Sequence, residues 1–426
     1  MASDVERPPV SFRGKNGRDS GESDGVQEPL LKNEIHEYEE FSVVSAILPF
    51  LFPAFGGLLY GYDIGATSSA TISIQSETLS GISWYNLSSV DVGLITSGSL
   101  YGALIGSILA FNIADFLGRR RELVLSSCMY LIGALLTALA PNFVLMVIGR
   151  LIYGIGIGLM DLLRAIQGKG EVQGLRETAI TCLCRLRGEA IADSAPQKVD
   201  EILSELSHLR EEEEATFSEM FQGKCLKALT IGGGLVLFQQ ITGQPSVLYY
   251  AATIFQSAGF SAASDATKVS TLLGLLKLIM TGVAVLVVDR LGRRPLLLGG
   301  VSGIVVSLFL LGSYYTYLDD IHAVAVVALL VYVGCYQISF GPIGWLMISE
   351  IFPLRVRGRG LSIAVLVNFG ANALVTFAFS PLKDLLGAGI VFFIFGGIAV
   401  LSLIFIYFII PETKGLTLEE IEAKLL

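Results

Sequence analysis

Ten apolar runs, each about 20 residues long, constrain this chain more than any other feature. They fall near 43–62, 91–114, 123–140, 143–163, 226–256, 271–288, 296–317, 322–348, 360–384 and 388–410. Lipid offers no partner for backbone N–H and C=O groups, and an α-helix satisfies them within itself. The runs therefore predict an all-α polytopic membrane protein with about ten transmembrane helices, four before a long polar stretch and six after it. Of the 426 residues 16% are charged, well below the quarter usual for a soluble domain.

The remaining segments divide the chain further. Residues 1–42 are polar and rich in Gly, Pro, Glu and Ser, which predicts a disordered tail. They lack the apolar core of a secretory signal and hold too many acids for an organellar transit peptide. Glu28-Pro29-Leu30-Leu31 resembles an acidic dileucine sorting signal without its usual spacing. Residues 43–163 make a first bundle, 164–225 a linker, 226–410 a second bundle and 411–426 a tail. In the linker, Val199, Ile202, Leu203 and Leu206 share one helical face, and Glu211 to Glu214 continue as a solvated charge run. Thr417 and Glu420 form a capping-box pattern in the tail.

Basic residues orient the spans. Arg119, Arg120, Arg121, Arg290, Arg293, Arg294, Arg355, Arg357 and Arg359 share one side, while the opposite loops hold Lys268 and Lys383. Both termini are therefore expected in the cytosol. Asn86-Leu87-Ser88 then faces outward or into a lumen, as either a glycosylation sequon or a chance match. The net charge of −9 gives no reason to expect a nucleic-acid partner. Five cysteines show neither a disulfide framework nor metal-ligand spacing, so no metal and no cofactor are expected. No nucleophile–base constellation argues for an enzyme.

One phrase occurs twice. Asp115-Phe116-Leu117-Gly118-Arg119-Arg120 and Asp289-Arg290-Leu291-Gly292-Arg293-Arg294 each join two apolar runs. A charged hairpin at matching places in two halves is how many secondary transporters are built.

Several spans carry more than an anchor needs. Gly98, Gly102 and Gly106 recur every four residues, as do Gly154 and Gly158; close helix packing accounts for them. Gly243-Gln244-Pro245 interrupts the fifth run and Gly341-Pro342 the eighth, and broken backbone at membrane depth must face protein or a cavity. Beside the breaks lie Gln239, Gln240, Tyr249, Tyr250 and Trp345. Amides and a broad aromatic suit a polyhydroxylated ring; interhelical hydrogen bonding is the alternative. Two intramembrane charges stand out, Asp63 at the end of the first run and Arg150 within the fourth. Each costs roughly 2.5–3.5 kcal/mol at the bilayer centre unless paired or beside water. Either they pair and carry a proton, or Asp63 emerges into the outer loop.

These phrases together resemble the sugar porter branch of the major facilitator superfamily. The likeness rests on Gly61-Tyr62-Asp63, Asp115 to Arg121, Gly149-Arg150, Gln239-Gln240-Ile241-Thr242-Gly243, Asp289 to Arg294, Gly341-Pro342-Ile343-Gly344-Trp345, Glu350-Ile351-Phe352-Pro353 with Arg357-Gly358, and Pro411-Glu412-Thr413-Lys414-Gly415. The second half is closest in style to plant D-xylose–proton symporter-like and vacuolar glucose carriers.

The resemblance implies a two-bundle fold and proton-coupled transport of a monosaccharide, with the vacuolar membrane favoured over the plasma membrane. It assigns proton coupling to Asp63 and Arg150, and sugar binding to Gln239, Gln240, Trp345, Asn368 and Phe369. It assigns a cytosolic gate to Asp115, Arg119, Arg120, Asp289, Arg293, Glu350 and Arg357. Pro245 stands where the family usually has an asparagine, which leaves the sugar open. The partners implied are a monosaccharide, a proton and the lipid bilayer.

Length departs from the family. Its fourth span normally leads to two more before the linker, whereas here Gly158-Leu159-Met160 runs into Asp161-Leu162-Leu163-Arg164. The first bundle is therefore two spans short. The alternative reading is a non-transporting variant that binds or modulates an intact carrier.

Overall fold

The computed structural model describes residues 43–117, 119–166, 196–197, 199–200, 220–257, 263–317, 321–353, 356–416 and 420–421, with side chains left out at some helix ends, notably 43–56, 111–120 and 161–166. The linker and tail helices, the amino-terminal tail and Cys182 with Cys184 fall wholly or mostly outside these residues. So do the side chains of Asp115, Arg119 and Arg120.

The first half holds α1 (Val43–Gln75), a short α2 (Glu77–Ser80), α3 (Ser89–Leu117), α4 (Arg119–Ala138) and α5 (Phe143–Ile166). The second holds α6 (Gly223–Ile241), α7 (Gln244–Tyr249), α8 (Ala251–Ser257), α9 (Ala263–Leu291), α10 (Arg293–Tyr317), α11 (His322–Ile338), α12 (Phe340–Ile351), α13 (Arg357–Leu386) and α14 (Ala388–Ile409). Among the described residues, nine stretches are long and apolar enough to cross a membrane. They coincide with the last nine apolar runs of the sequence, and α1 occupies the first. The chain is an all-α membrane protein.

Two of those stretches are broken by the same rule. A proline has no N–H to donate, and its ring crowds the carbonyl four residues earlier. Pro245 lies four residues after Ile241, where α6 ends; Pro342 lies four after Ile338, where α11 ends. The second break therefore falls at Ser339, ahead of Gly341-Pro342, where the sequence pattern puts it. At the first break Gly243 takes φ +93°, a left-handed value suited to a residue without Cβ.

The first half packs through its glycines. A Cβ on Gly102 would sit 2.1 Å from the Leu151 carbonyl oxygen, and one on Gly154 2.0 Å from that of Ser99. These contacts bring α3 and α5 to backbone distance, and α4 completes the layer. In the second half α10 packs on α14 and α11. The halves meet chiefly along α3 and α13. There Pro381 cannot donate to the Phe377 carbonyl, which instead faces Gly93; a Cβ on Gly93 would lie 2.8 Å from that oxygen.

Helix α1 behaves differently. It leans on α7, α8 and α9 of the second half more than on α3 and α5. Gly57, Gly61 and Gly65, four residues apart, have no atom of the described residues within 4 Å of where a Cβ would stand. That face is open.

Candidate functional site: a buried ion pair beside a broken helix

Asp63 does not emerge into a loop. Helix α1 continues past it to Gln75, and Asp63 is 6% exposed. The apolar run stops near residue 62 because the next turns carry Thr67, Ser68 and Thr71, yet these are buried inside the protein. Thr71 donates its hydroxyl to the Thr67 carbonyl one turn back, which satisfies it inside the helix.

Arg150 of α5 pairs with Asp63. Its Nη1 donates to Asp63 Oδ1, Nη2 to Ser99 Oγ at 3.1 Å, and Nε to the Ile95 carbonyl at 3.1 Å. Ser99 Oγ in turn donates to Asp63 Oδ2 at 3.2 Å. Three helices, α1, α3 and α5, thus converge on one buried charge pair. Desolvated ions need mutual attraction together with hydrogen bonds to their remaining atoms, and here both sides have them.

The amide cluster lies across the break in the second half. Gln240 Nε2 donates to Asn368 Oδ1 at 2.6 Å, joining α6 to α13. Gln239 Nε2 donates to the Phe340 carbonyl at 3.1 Å, joining α6 to the start of α12. The Oε1 atoms of both glutamines are buried and have no hydrogen-bond partner among the described residues. Such acceptors are costly to leave empty, and they match a hydroxyl donor. Gly344 faces Gln239, with the partly buried Trp345 next to it. Phe369 follows Asn368 but is only 2% exposed, packed in the apolar core.

The break also ties the halves together. Tyr250 Oη lies 2.6 Å from Thr96 Oγ1, and the Ala252 N–H donates to Ser68 Oγ at 3.2 Å. The residues after Gly243 therefore contact α1 and α3, one turn or more beyond the glutamines in sequence.

Of the expected gate residues, Asp289, Arg293 and Glu350 come together. Arg293 reaches Asp289 Oδ1 at 3.1 Å and Glu350 Oε1 at 2.9 Å. Arg357 stands apart and donates to the Phe352 carbonyl at 3.3 Å. The cluster gains two members: Thr413 donates to Glu350 Oε2 at 2.6 Å, and Glu412 accepts the backbone N–H groups of Arg293 and Arg294, both at 3.0 Å. A carboxylate on the first N–H groups of α10 answers their lack of intrahelical partners and the helix dipole. Gly292 makes the preceding turn at φ +96°, which explains the glycine of the second repeated phrase.

The charge pattern passes over one residue, Lys277. It sits at the midpoint of α9, fourteen residues from either end by number, or about 21 Å at 1.5 Å per residue. It lines a small cavity with Gln244, Tyr332, Tyr336 and Gln337. The signal is plain in the sequence: a lysine inside the run 271–288. Ser99, by contrast, has no sequence signal, since its place depends on tertiary packing.

Known proteins match this architecture. The family model described as "Sugar (and other) transporter" matches residues 50–165 and 172–425. "D-xylose-proton symporter-like 2" of Arabidopsis thaliana is 61% identical over 504 positions, covering 100% of each chain. Setting 504 positions against 426 residues leaves about 78 of that relative without a counterpart here. "D-xylose-proton symporter-like 3, chloroplastic" of the same plant is 53% identical over 91% of this chain and 84% of its own. Among solved structures, the proton:xylose symporter XylE bound to 6-bromo-6-deoxy-D-glucose superposes with a TM-score of 0.69 at 27% identity, over 87% of this chain and 97% of its own. The fold is that of the major facilitator superfamily, and the chain belongs to the sugar (and other) transporter family.

Proposed function

We propose that this chain carries a monosaccharide, hexose or pentose, across a membrane together with a proton, by alternating access of its two bundles. It is a transporter and not an enzyme, as its family and relatives are. The observation that supports the coupling is the buried Asp63–Arg150 pair standing across one broken helix from two glutamines with unfilled acceptors. Asp63 takes the proton, and its charge on Arg150 is thereby released. Gln239, Gln240 and Asn368 hold sugar hydroxyls, with Trp345 offering a ring face; Phe369 backs Asn368 from the core. A relative named as D-xylose-proton symporter-like and a solved proton:xylose symporter of the same fold support this reading.

With both termini in the cytosol, the seam of Gly93, Phe377, Thr96 and Tyr250 closes the outer side of the path. Asp289, Arg293 and Glu350, together with Asp115, Arg119, Arg120 and Arg357, act at the cytosolic side. The vacuolar membrane is our assignment for a multi-pass carrier of this style, and imaging of a tagged chain against tonoplast and plastid markers tests it. The domain limits proposed are 43–163 for a four-span bundle, 164–225 for the linker and 226–410 for a six-span bundle.

A second reading concerns partners. It is association with an intact carrier, for which the glycine face of α1 is the proposed surface. Co-purification of the two chains from one membrane tests it. Uptake of labelled xylose and glucose into proteoliposomes under an imposed proton gradient tests the carrier itself; uptake equal to that of protein-free vesicles refutes it.

A further inference from the structure

Tyr249 is 1% exposed, and its hydroxyl has no hydrogen-bond partner among the described residues. A buried phenol without a partner is costly and needs an explanation. The residue ends α7, the short helix after the break that also follows Gln239 and Gln240. Its hydroxyl lies within electrostatic reach of Asp63, Arg150 and Tyr60, and approaches Ser99 without the geometry of a hydrogen bond. The short helix that carries the ring also packs on α1, the helix of Asp63, so the phenol of the second half stands near the ion pair of the first.

The groups around Asp63 are few. From α1 come Tyr60 and Tyr62, from α5 Arg150 and Tyr153, from α7 Tyr249, and from α3 the uncharged Ser99. Tyr62 is 72% exposed, and Tyr60 and Tyr153 are both partly exposed. Tyr249 is the fully buried hydroxyl left over. While Asp63 is ionised, Arg150 and Ser99 occupy its two oxygens. A carboxylate only accepts, whereas a carboxylic acid also carries one O–H that must be accepted.

We propose that Tyr249 is a positioning residue for proton coupling, whose phenol oxygen accepts the hydrogen bond of protonated Asp63. A proton arriving from the solvent side binds an Asp63 oxygen, the bond from Arg150 to that oxygen breaks, and the new O–H donates to Tyr249. Protonation in the first half then pulls directly on the helix that adjoins the glutamines. The inference rests on the proposed carrier function for its purpose, but its test does not.

The test is an infrared pH titration of the purified protein in lipid, following the carboxylic C=O band that Asp63→Asn removes. Tyr249→Phe deletes only the acceptor, so the protonated form loses support and the midpoint moves toward acid. The loss of one neutral hydrogen bond corresponds to roughly half to one pH unit. Tyr250→Phe is the control: its hydroxyl serves Thr96 and the Thr376 carbonyl, and its removal leaves the midpoint where it was. Fluorotyrosine at position 249, a weaker acceptor, gives a smaller acid shift and serves should Tyr249→Phe not fold. A midpoint unchanged in the 249 variants, or moved as far by Tyr250→Phe, overturns the proposal. Absent proton-driven uptake by the wild type refutes the carrier reading alone, since the titration still decides the role of Tyr249.

Discussion

Arg150→Leu isolates what the ion pair does for the fold. Leucine keeps the Cβ and Cγ that pack against Gly98, where a built Cβ would meet Arg150 Cβ at 3.0 Å, so the change removes charge more than volume. Asp63 then remains 6% exposed with a bond from Ser99 Oγ alone. Leaving one buried ion without its partner costs about 3–5 kcal/mol. Asp63→Asn strands the guanidinium instead, but Ser99 Oγ and the Ile95 carbonyl still receive two of its N–H groups. Its cost therefore falls at the lower end, about 3 kcal/mol. The double variant has no stranded charge, and pairing energy should appear as a coupling of about 3 kcal/mol between the two sites. Denaturant titration in mixed micelles, run as a four-member cycle, measures it. If each single change costs under about 1 kcal/mol and the two add, the pair does not stabilise the contact of α1 with α5, and the reasoning fails.

Other expectations follow from close contacts. Gly102→Ala places a methyl 2.1 Å from a backbone oxygen that cannot yield, and should lower stability by at least 1–3 kcal/mol, roughly, with loss of monodisperse protein on size exclusion. Gly233→Ala, in open space, should leave that yield unchanged. Glu412→Ala removes the acceptor for the first turn of α10 and should cost about 0.5–2 kcal/mol in the same unfolding assay. Gln240→Ala frees Asn368 and deletes a ligand acceptor; the KM for uptake should rise about tenfold, the equivalent of one good hydrogen bond, with little change in maximal rate.

Hydropathy places the helices because lipid penalises every polar side chain that faces it, so a buried polar turn escapes the same measure. That is why the first apolar run stops near residue 62 while α1 continues to Gln75: Thr67, Ser68 and Thr71 are buried in protein. The ion pair was legible for the opposite reason, since Asp63 and Arg150 are rare enough in such runs to demand each other. Lys277 carries the same signal, and attention to loop charges alone passes over it. Both proline breaks can be located by counting back four residues, which explains why Ser339 rather than Gly341 marks the second. Glu412 as the cap of α10 and Tyr250 against Thr96 join residues more than a hundred apart, and no local pattern encodes such a meeting.

The central claim is that a proton on Asp63 drives sugar movement. Reconstituted wild-type chain and Asp63→Asn should be compared for uptake of labelled xylose and glucose under an inward proton gradient, and for sugar exchange without one. The account predicts accumulation by the wild type that collapses when the gradient is removed, and exchange without accumulation by Asp63→Asn. Accumulation by Asp63→Asn equal to that of the wild type contradicts it.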